Sequence, residues 1–82
     1  MADKLKVKIN SPAKILWEGE AEWVSSINSQ GPFDILPLHT NFVTIIENQK
    51  IRINTGKEVT EYTFPHSVIY AHSNHVFIYT NI

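Results

Sequence analysis

Lys4-Leu5-Lys6-Val7-Lys8-Ile9 alternates charged and apolar side chains at every position. A period of two puts Leu5, Val7 and Ile9 on one face and the lysines on the other, whereas a helix would scatter both sets around its axis. The stretch therefore reads as a strand lying against a core. Ser11-Pro12-Ala13 ends it, because proline disfavours helix at the preceding residue and supplies no ladder donor. Trp17-Glu18-Gly19-Glu20-Ala21-Glu22-Trp23 repeats the alternation with the opposite charge. Trp17, Gly19, Ala21 and Trp23 would share one face, and Glu18, Glu20 and Glu22 the other. Matching lysine and glutamate rows predict two antiparallel neighbours paired across their wet face. Each pair is worth about 0.2–1 kcal/mol, enough to help set register. Gly19 marks a bulge or a close backbone approach.

Working outward, Val24 to Ile27 stays extended and Asn28-Ser29-Gln30-Gly31 is a polar turn. Phe42-Val43-Thr44-Ile45-Ile46 is nearly continuous in apolar, β-branched residues, the pattern of a strand buried on both sides. Lys50-Ile51-Arg52-Ile53-Asn54 alternates cleanly, and Thr55-Gly56-Lys57 carries a hairpin signal. Glu58 to Phe64 slips phase, since Val59 is odd whereas Tyr62 and Phe64 are even; a bulge near Thr60 would reconcile them. Val68 to Ala71 and His75 to Thr80 follow, separated by the turn His72-Ser73-Asn74. No segment has a 3.6 period. Short strands with a turn signal between each predict an all-β fold, an antiparallel β-sandwich or flattened barrel of about ten short strands, as one domain over residues 1–82.

Gly31 to Thr44, GPFDILPLHTNFVT, is too rich in breakers for a helix and too apolar for an idle loop. Pro32 and Pro37 confine any strand here to a few residues or to a sheet edge. Its apolar side chains must be buried or offered to a partner.

The totals exclude several classes. With no cysteine there is no disulfide, thiol catalysis or thiolate metal site. A formal net charge of −1 gives no footprint for nucleic acid or an anionic membrane. No apolar run reaches the roughly 20 residues that span a bilayer, and the N-terminus lacks the apolar core of a signal peptide, so the chain reads as soluble and intracellular. His72 and His75 are close in sequence, but zinc needs three or four ligands held together, and both read as flanks of a solvated turn. The glutamate row lies on the wet side of a strand, without the burial that tunes a carboxylate for acid–base work. No nucleophile elbow, dinucleotide fingerprint or Walker loop is present. Trp17 and Trp23 on one face read as core, with a sugar-stacking platform as the lesser reading. Composition and spacing thus describe a small β domain without evident enzyme chemistry or cofactor.

Gly31-Pro32-Phe33-Asp34-Ile35-Leu36-Pro37-Leu38-His39 resembles the G-x-[LF]-G-I-L-P-G-H segment of the epsilon subunit of F-type ATP synthases (delta in mitochondria). The order of its flanks matches too: Ile9-Asn10-Ser11-Pro12, then Leu16-Trp17-Glu18-Gly19-Glu20-Ala21 where the family has [LFW]-x-G-x-[AV], then Phe42-Val43-Thr44-Ile45, Ile51-Arg52-Ile53 and Asn74-His75-Val76. The resemblance implies a ten-stranded β-sandwich at the foot of the central stalk, between the gamma subunit and the membrane-embedded c ring. It is a coupling role without chemistry, on the cytoplasmic face of the inner (plasma) membrane, in a protein that is monomeric when isolated. Family positions facing gamma fall on Ser11, His39 and Thr44. The loop meeting the c ring falls on Ser29, Gln30, Gly31, Pro32 and Phe33.

This sequence departs from the family pattern in three places. The family continues into a C-terminal helical hairpin that in bacteria can brake rotation and bind ATP; a protein ending naturally at Ile82 would lack both properties. The motif glycines are Asp34 and Leu38 here, and Pro32 replaces an acidic residue common in the ring-facing loop. The Gly-Gly before the penultimate strand reads His66-Ser67. A rotor-stalk subunit predicts an exposed apolar patch including part of Phe33–Phe42. The alternative, a stand-alone β-sandwich binding module, predicts that patch covered and the tryptophan face open to a ligand. An enzyme would need a cleft of converging polar groups, which nothing in the sequence foretells.

Overall fold

The computed structural model describes residues 3–38 and 41–81. Among them are nine strands and no helix: β1 (Leu5–Asn10), β2 (Ile15–Ala21), β3 (Trp23–Asn28), β4 (Gly31–Ile35), β5 (Phe42–Ile46), β6 (Lys50–Asn54), β7 (Val59–Thr63), β8 (Ser67–His72) and β9 (His75–Thr80). They form two sheets, one ordered β2-β1-β9-β8-β5 and the other β4-β3-β6-β7. The expected all-β sandwich is the observed architecture.

The lysine and glutamate rows meet as their spacing requires. β1 and β2 are antiparallel with Lys6 opposite Glu20 and Lys8 opposite Glu18, and Lys8 Nζ lies 3.7 Å from Glu18 Oε2. Leu5, Val7 and Ile9 face inward and are fully buried. They pack with Ile46, Ile69, Val76 and Ile78 of the same sheet against Val24, Ile35, Ile51 and Ile53 of the other. Burying each such side chain stabilises the fold by about 1.5–3 kcal/mol. One pairing is not antiparallel: β1 runs parallel to β9. β1 and β9 are far apart in sequence, with the other seven described strands between them, so no hairpin dictates their relative direction.

Three local expectations fail. Trp17 and Trp23 do not share a face, because β2 and β3 belong to different sheets. The chain crosses between them at Glu22, whose N–H donates to the Asn54 carbonyl at 2.7 Å. Beyond the crossing Val24 and Ser26 are the buried residues, so Trp23 lies on the outer side of its sheet while Trp17 packs on the core. The bulge near Thr60 is absent: β6 and β7 pair in unbroken register from Lys50–Thr63 to Asn54–Val59, and Val59 simply faces outward. The register shift of this fold lies between β1 and β2 at Ile9/Asn10. Finally, β5 is not buried on both sides. It is an edge strand of the five-stranded sheet, with Phe42 and Ile46 turned inward and Val43 and Ile45 outward.

Gly19 is a close approach and not a bulge. A β-carbon there would sit 2.9 Å from Trp17 Cζ2, so the indole lies over a position that only glycine leaves open. Pro32 lies in β4, an edge strand, where a missing N–H costs no ladder bond on the open side.

Candidate docking surface

The outer faces of the two sheets differ in kind. On the five-stranded sheet one register row reads Glu18, Lys8, Phe77, Tyr70, Val43 from β2 to β5. The next row ends Asn10, Tyr79, Val68, Ile45. Charge is therefore confined to β1 and β2, and the β9, β8 and β5 side is aromatic and aliphatic. Tyr70 and Phe77 stack at 6.1 Å between ring centroids, His75 and Phe77 at 5.8 Å, and Phe77 and Tyr79 at 6.4 Å. Val43 is 62% exposed and Ile45 63%. These two carry the clearest unpartnered apolar surface in a strand.

That surface continues into the loop after β4, where Leu36 is 50% exposed and Leu38 76%. Leu38 has a positive φ of 66°. Its N–H donates to Asn74 Oδ1 at 2.6 Å, which ties the loop to the β8–β9 turn. Phe33 and Phe42 are only half-buried but pack on each other at 5.3 Å, closing the space between β4 and β5.

Of the residues assigned to gamma, Ser11 sits just past β1 and its hydroxyl is engaged in a local turn, donating to the Lys14 carbonyl at 3.0 Å and accepting from the Lys14 N–H at 3.1 Å. Thr44 points between the sheets, half-buried, and its Oγ1 accepts from Asn28 Nδ2 at 3.0 Å. His39 lies outside the described residues. Ser11 follows Asn10, which is opposite Tyr79 near the end of β9, whereas Leu38 is bonded to Asn74, just before β9 begins. The two positions are thus at opposite ends of the sandwich, separated by about 20 Å at roughly 3.3 Å per strand residue.

The ring-assigned residues form the β3–β4 hairpin. Ser29, Gln30 and Pro32 are exposed at its tip, Gly31 takes a φ of 120°, and Phe33 turns inward. A groove of about 320 Å³ separates this tip from β5, walled by Ile27, Asn28, Ser29, Ile45, Glu47 and Gln49. Ser11 lies at this same end but past β1, with β9 and β8 between it and β5, so the structure joins Thr44 to the hairpin base and leaves Ser11 apart.

The outward aromatic ladder was readable from the same period-two rule. Once Ile69, Ala71, Val76 and Ile78 are assigned inward, Tyr70, Phe77 and Tyr79 must face out. Asn28 carried no such signal, because its partner is 16 residues away. Among the described residues no three metal-ligating side chains come together, and no helix is long and apolar enough to cross a membrane.

The family model for the ATP synthase delta/epsilon chain β-sandwich domain matches residues 4–82. The ATP synthase epsilon chain of Leptospira borgpetersenii is 32% identical over 80 residues, covering 98% of this chain and 63% of that protein. The ATP synthase epsilon chain of Hyphomonas neptunium is 36% identical over 59 residues, or 72% of this chain and 44% of that one. The chain spans about half the length of the curated relatives it matches. Among solved structures it is similar to a chain of the Tetrahymena thermophila mitochondrial ATP synthase central stalk and c ring, with a TM-score of 0.80 at 13% identity, over 96% of this chain and 64% of that one. A chain of the Euglena gracilis mitochondrial ATP synthase gives a TM-score of 0.85 at 11% identity, over 94% of this chain and 50% of that one. At those identities the structures speak for the sandwich alone; the sequence match carries the membership. Matched over nearly its whole length, the chain belongs to the family of ATP synthase delta/epsilon chain β-sandwich domains.

Proposed function

We propose that the chain is a non-catalytic rotor subunit of an F-type ATP synthase central stalk, docking on gamma and on the c ring to couple ion-driven rotation to ATP synthesis. Within the family, the observation that carries this reading is the open apolar face of β5, where Val43 and Ile45 are each more than 60% exposed. Exposed patches of this kind mark docking surfaces, because monomers otherwise keep them small. Gamma would lie along β5 and the loop before it, covering Leu36, Leu38, Val43 and Ile45. His39 and Thr44 would fall along this contact, and Ser11, past β1 with β9 and β8 between it and β5, would join it where gamma also spans the end of that sheet. Because the Thr44 hydroxyl is already engaged, the outward neighbours Val43 and Ile45 would supply the buried area.

The hairpin tip of Ser29, Gln30, Gly31 and Pro32 would meet the ring, with Phe33 turned inward beneath it. With proline in place of an acidic residue, that contact would rest on polar and apolar groups. Torque transmission suits a close-packed sandwich, whose interior passes strain on instead of absorbing it. The domain would sit as a peripheral part of the complex on the cytoplasmic face of the inner membrane, without a cofactor of its own.

The stand-alone binding module is disfavoured by two observations: the patch is open, and the tryptophans that would form a ligand platform lie in different sheets. Co-purification tests the proposal. Mixed with gamma, the chain should elute as a one-to-one complex, and no association at micromolar concentrations would count decisively against it.

A further inference from the structure

Asn28 closes β3, and both ends of its side-chain amide are in use. Its Oδ1 accepts from the Gln30 N–H at 2.8 Å, an Asx turn that shapes the hairpin tip. Its Nδ2 donates to Thr44 Oγ1 at 3.0 Å, partly buried, on a strand of the opposite sheet. One side chain thus defines the tip and fastens it to β5. At this end the sheets otherwise meet through apolar contacts such as Phe33 on Phe42, which resist separation but have little directionality. A hydrogen bond fixes both distance and angle. It does so beside the groove that divides the hairpin from Ile45.

We propose that Asn28 is a positioning residue: a strut that locks the ring-facing hairpin tip to the gamma-facing strand, so that the two docking surfaces move as one body. The inference rests on the docking reading above. Without the strut, β4 still packs on β5 through Phe33 and Phe42, a contact that lacks the direction of a hydrogen bond, and load applied at the tip bends the hairpin before it reaches β5.

Three variants separate the roles. Asn28→Ala removes both bonds. Thr44→Val removes only the strut. Asn28→Asp keeps an acceptor for the Gln30 N–H and accepts from the Thr44 hydroxyl, so it is the conservative rescue. In the isolated chain, amide exchange at Gln30 should speed about tenfold in Asn28→Ala, the factor a net hydrogen bond supplies, and stay near the parent rate in Asn28→Asp. Preassembled chain–gamma complex is then captured on purified c ring in detergent. Asn28→Ala and Thr44→Val should each weaken capture about tenfold, the double variant should be no weaker than Asn28→Ala, and Asn28→Asp should restore it. A merely structural asparagine would lower the melting temperature and leave capture unchanged, which overturns the proposal. Additive losses in the double variant, or unaltered Gln30 exchange in Asn28→Ala, also overturn it. Parent complex that the ring does not capture contradicts the docking reading itself, and Gln30 exchange still decides the strut.

Discussion

The two outer faces of this sandwich are built on the same strand alternation and end with opposite chemistry. On the four-stranded sheet the outward charged and polar residues satisfy one another, beside the apolar Trp23, Ile27 and Val59. Arg52 Nε lies 3.2 Å from Glu61, Lys50 Nζ lies 3.7 Å from the same carboxylate, and the Ser25 hydroxyl donates to Asp34. On the five-stranded sheet only the β1–β2 border is charged, and the rest offers rings and branched aliphatics to whatever lies above. A face whose charges are paired internally has little left for a partner, whereas an uncovered apolar face is stabilised by burial. The proposed docking therefore falls on the five-stranded side.

The strongest way to break that assignment is a charge at its centre. Ile45→Glu should lower gamma affinity about a hundredfold, since burying an unpaired carboxylate costs several kcal/mol, with the melting temperature nearly unchanged; titration calorimetry reads both the affinity and any loss of stoichiometry. Gly19→Ala separates stability from docking on the same sheet. The new β-carbon meets the Trp17 ring at 2.9 Å, and overpacking of this kind costs about 1–3 kcal/mol in urea unfolding, while gamma affinity stays at the parent value. Tyr70→Ala removes a ring stacked on Phe77 and His72; a loss of gamma affinity of about tenfold is expected, the scale at which a contributing interface residue is recognised. The smallest effect belongs to the other face. Glu61→Gln discards both of its ion pairs, yet exposed pairs contribute about 0.2–1 kcal/mol. Its stability change should shrink further in high salt, with gamma binding untouched.

The β1–β2 pairing was legible because these neighbours announce each other: lysines and glutamates at equal spacing rule out a one-residue slip, which would turn the apolar faces outward. The missing donor of Pro32 called for a short strand or a sheet edge, and β4 is both. Topology was less accessible. Nothing in WEGEAEW marks the crossing at Glu22, since the hydrogen bond that turns it comes from Asn54, far along the chain. Val43 and Ile45 misled for a related reason. A run of β-branched residues looks the same whether its second face meets another layer or a partner protein. The tie between Asn28 and Thr44 is a product of packing, and no local pattern encodes it.

The most direct test is amide exchange of the chain alone and bound to gamma. The account predicts slowed exchange along β5 and the Leu36–Leu38 segment before it, with β6 and β7 unaffected. Slowing over Lys50, Arg52 and Glu61 instead, with β5 unchanged, would contradict it.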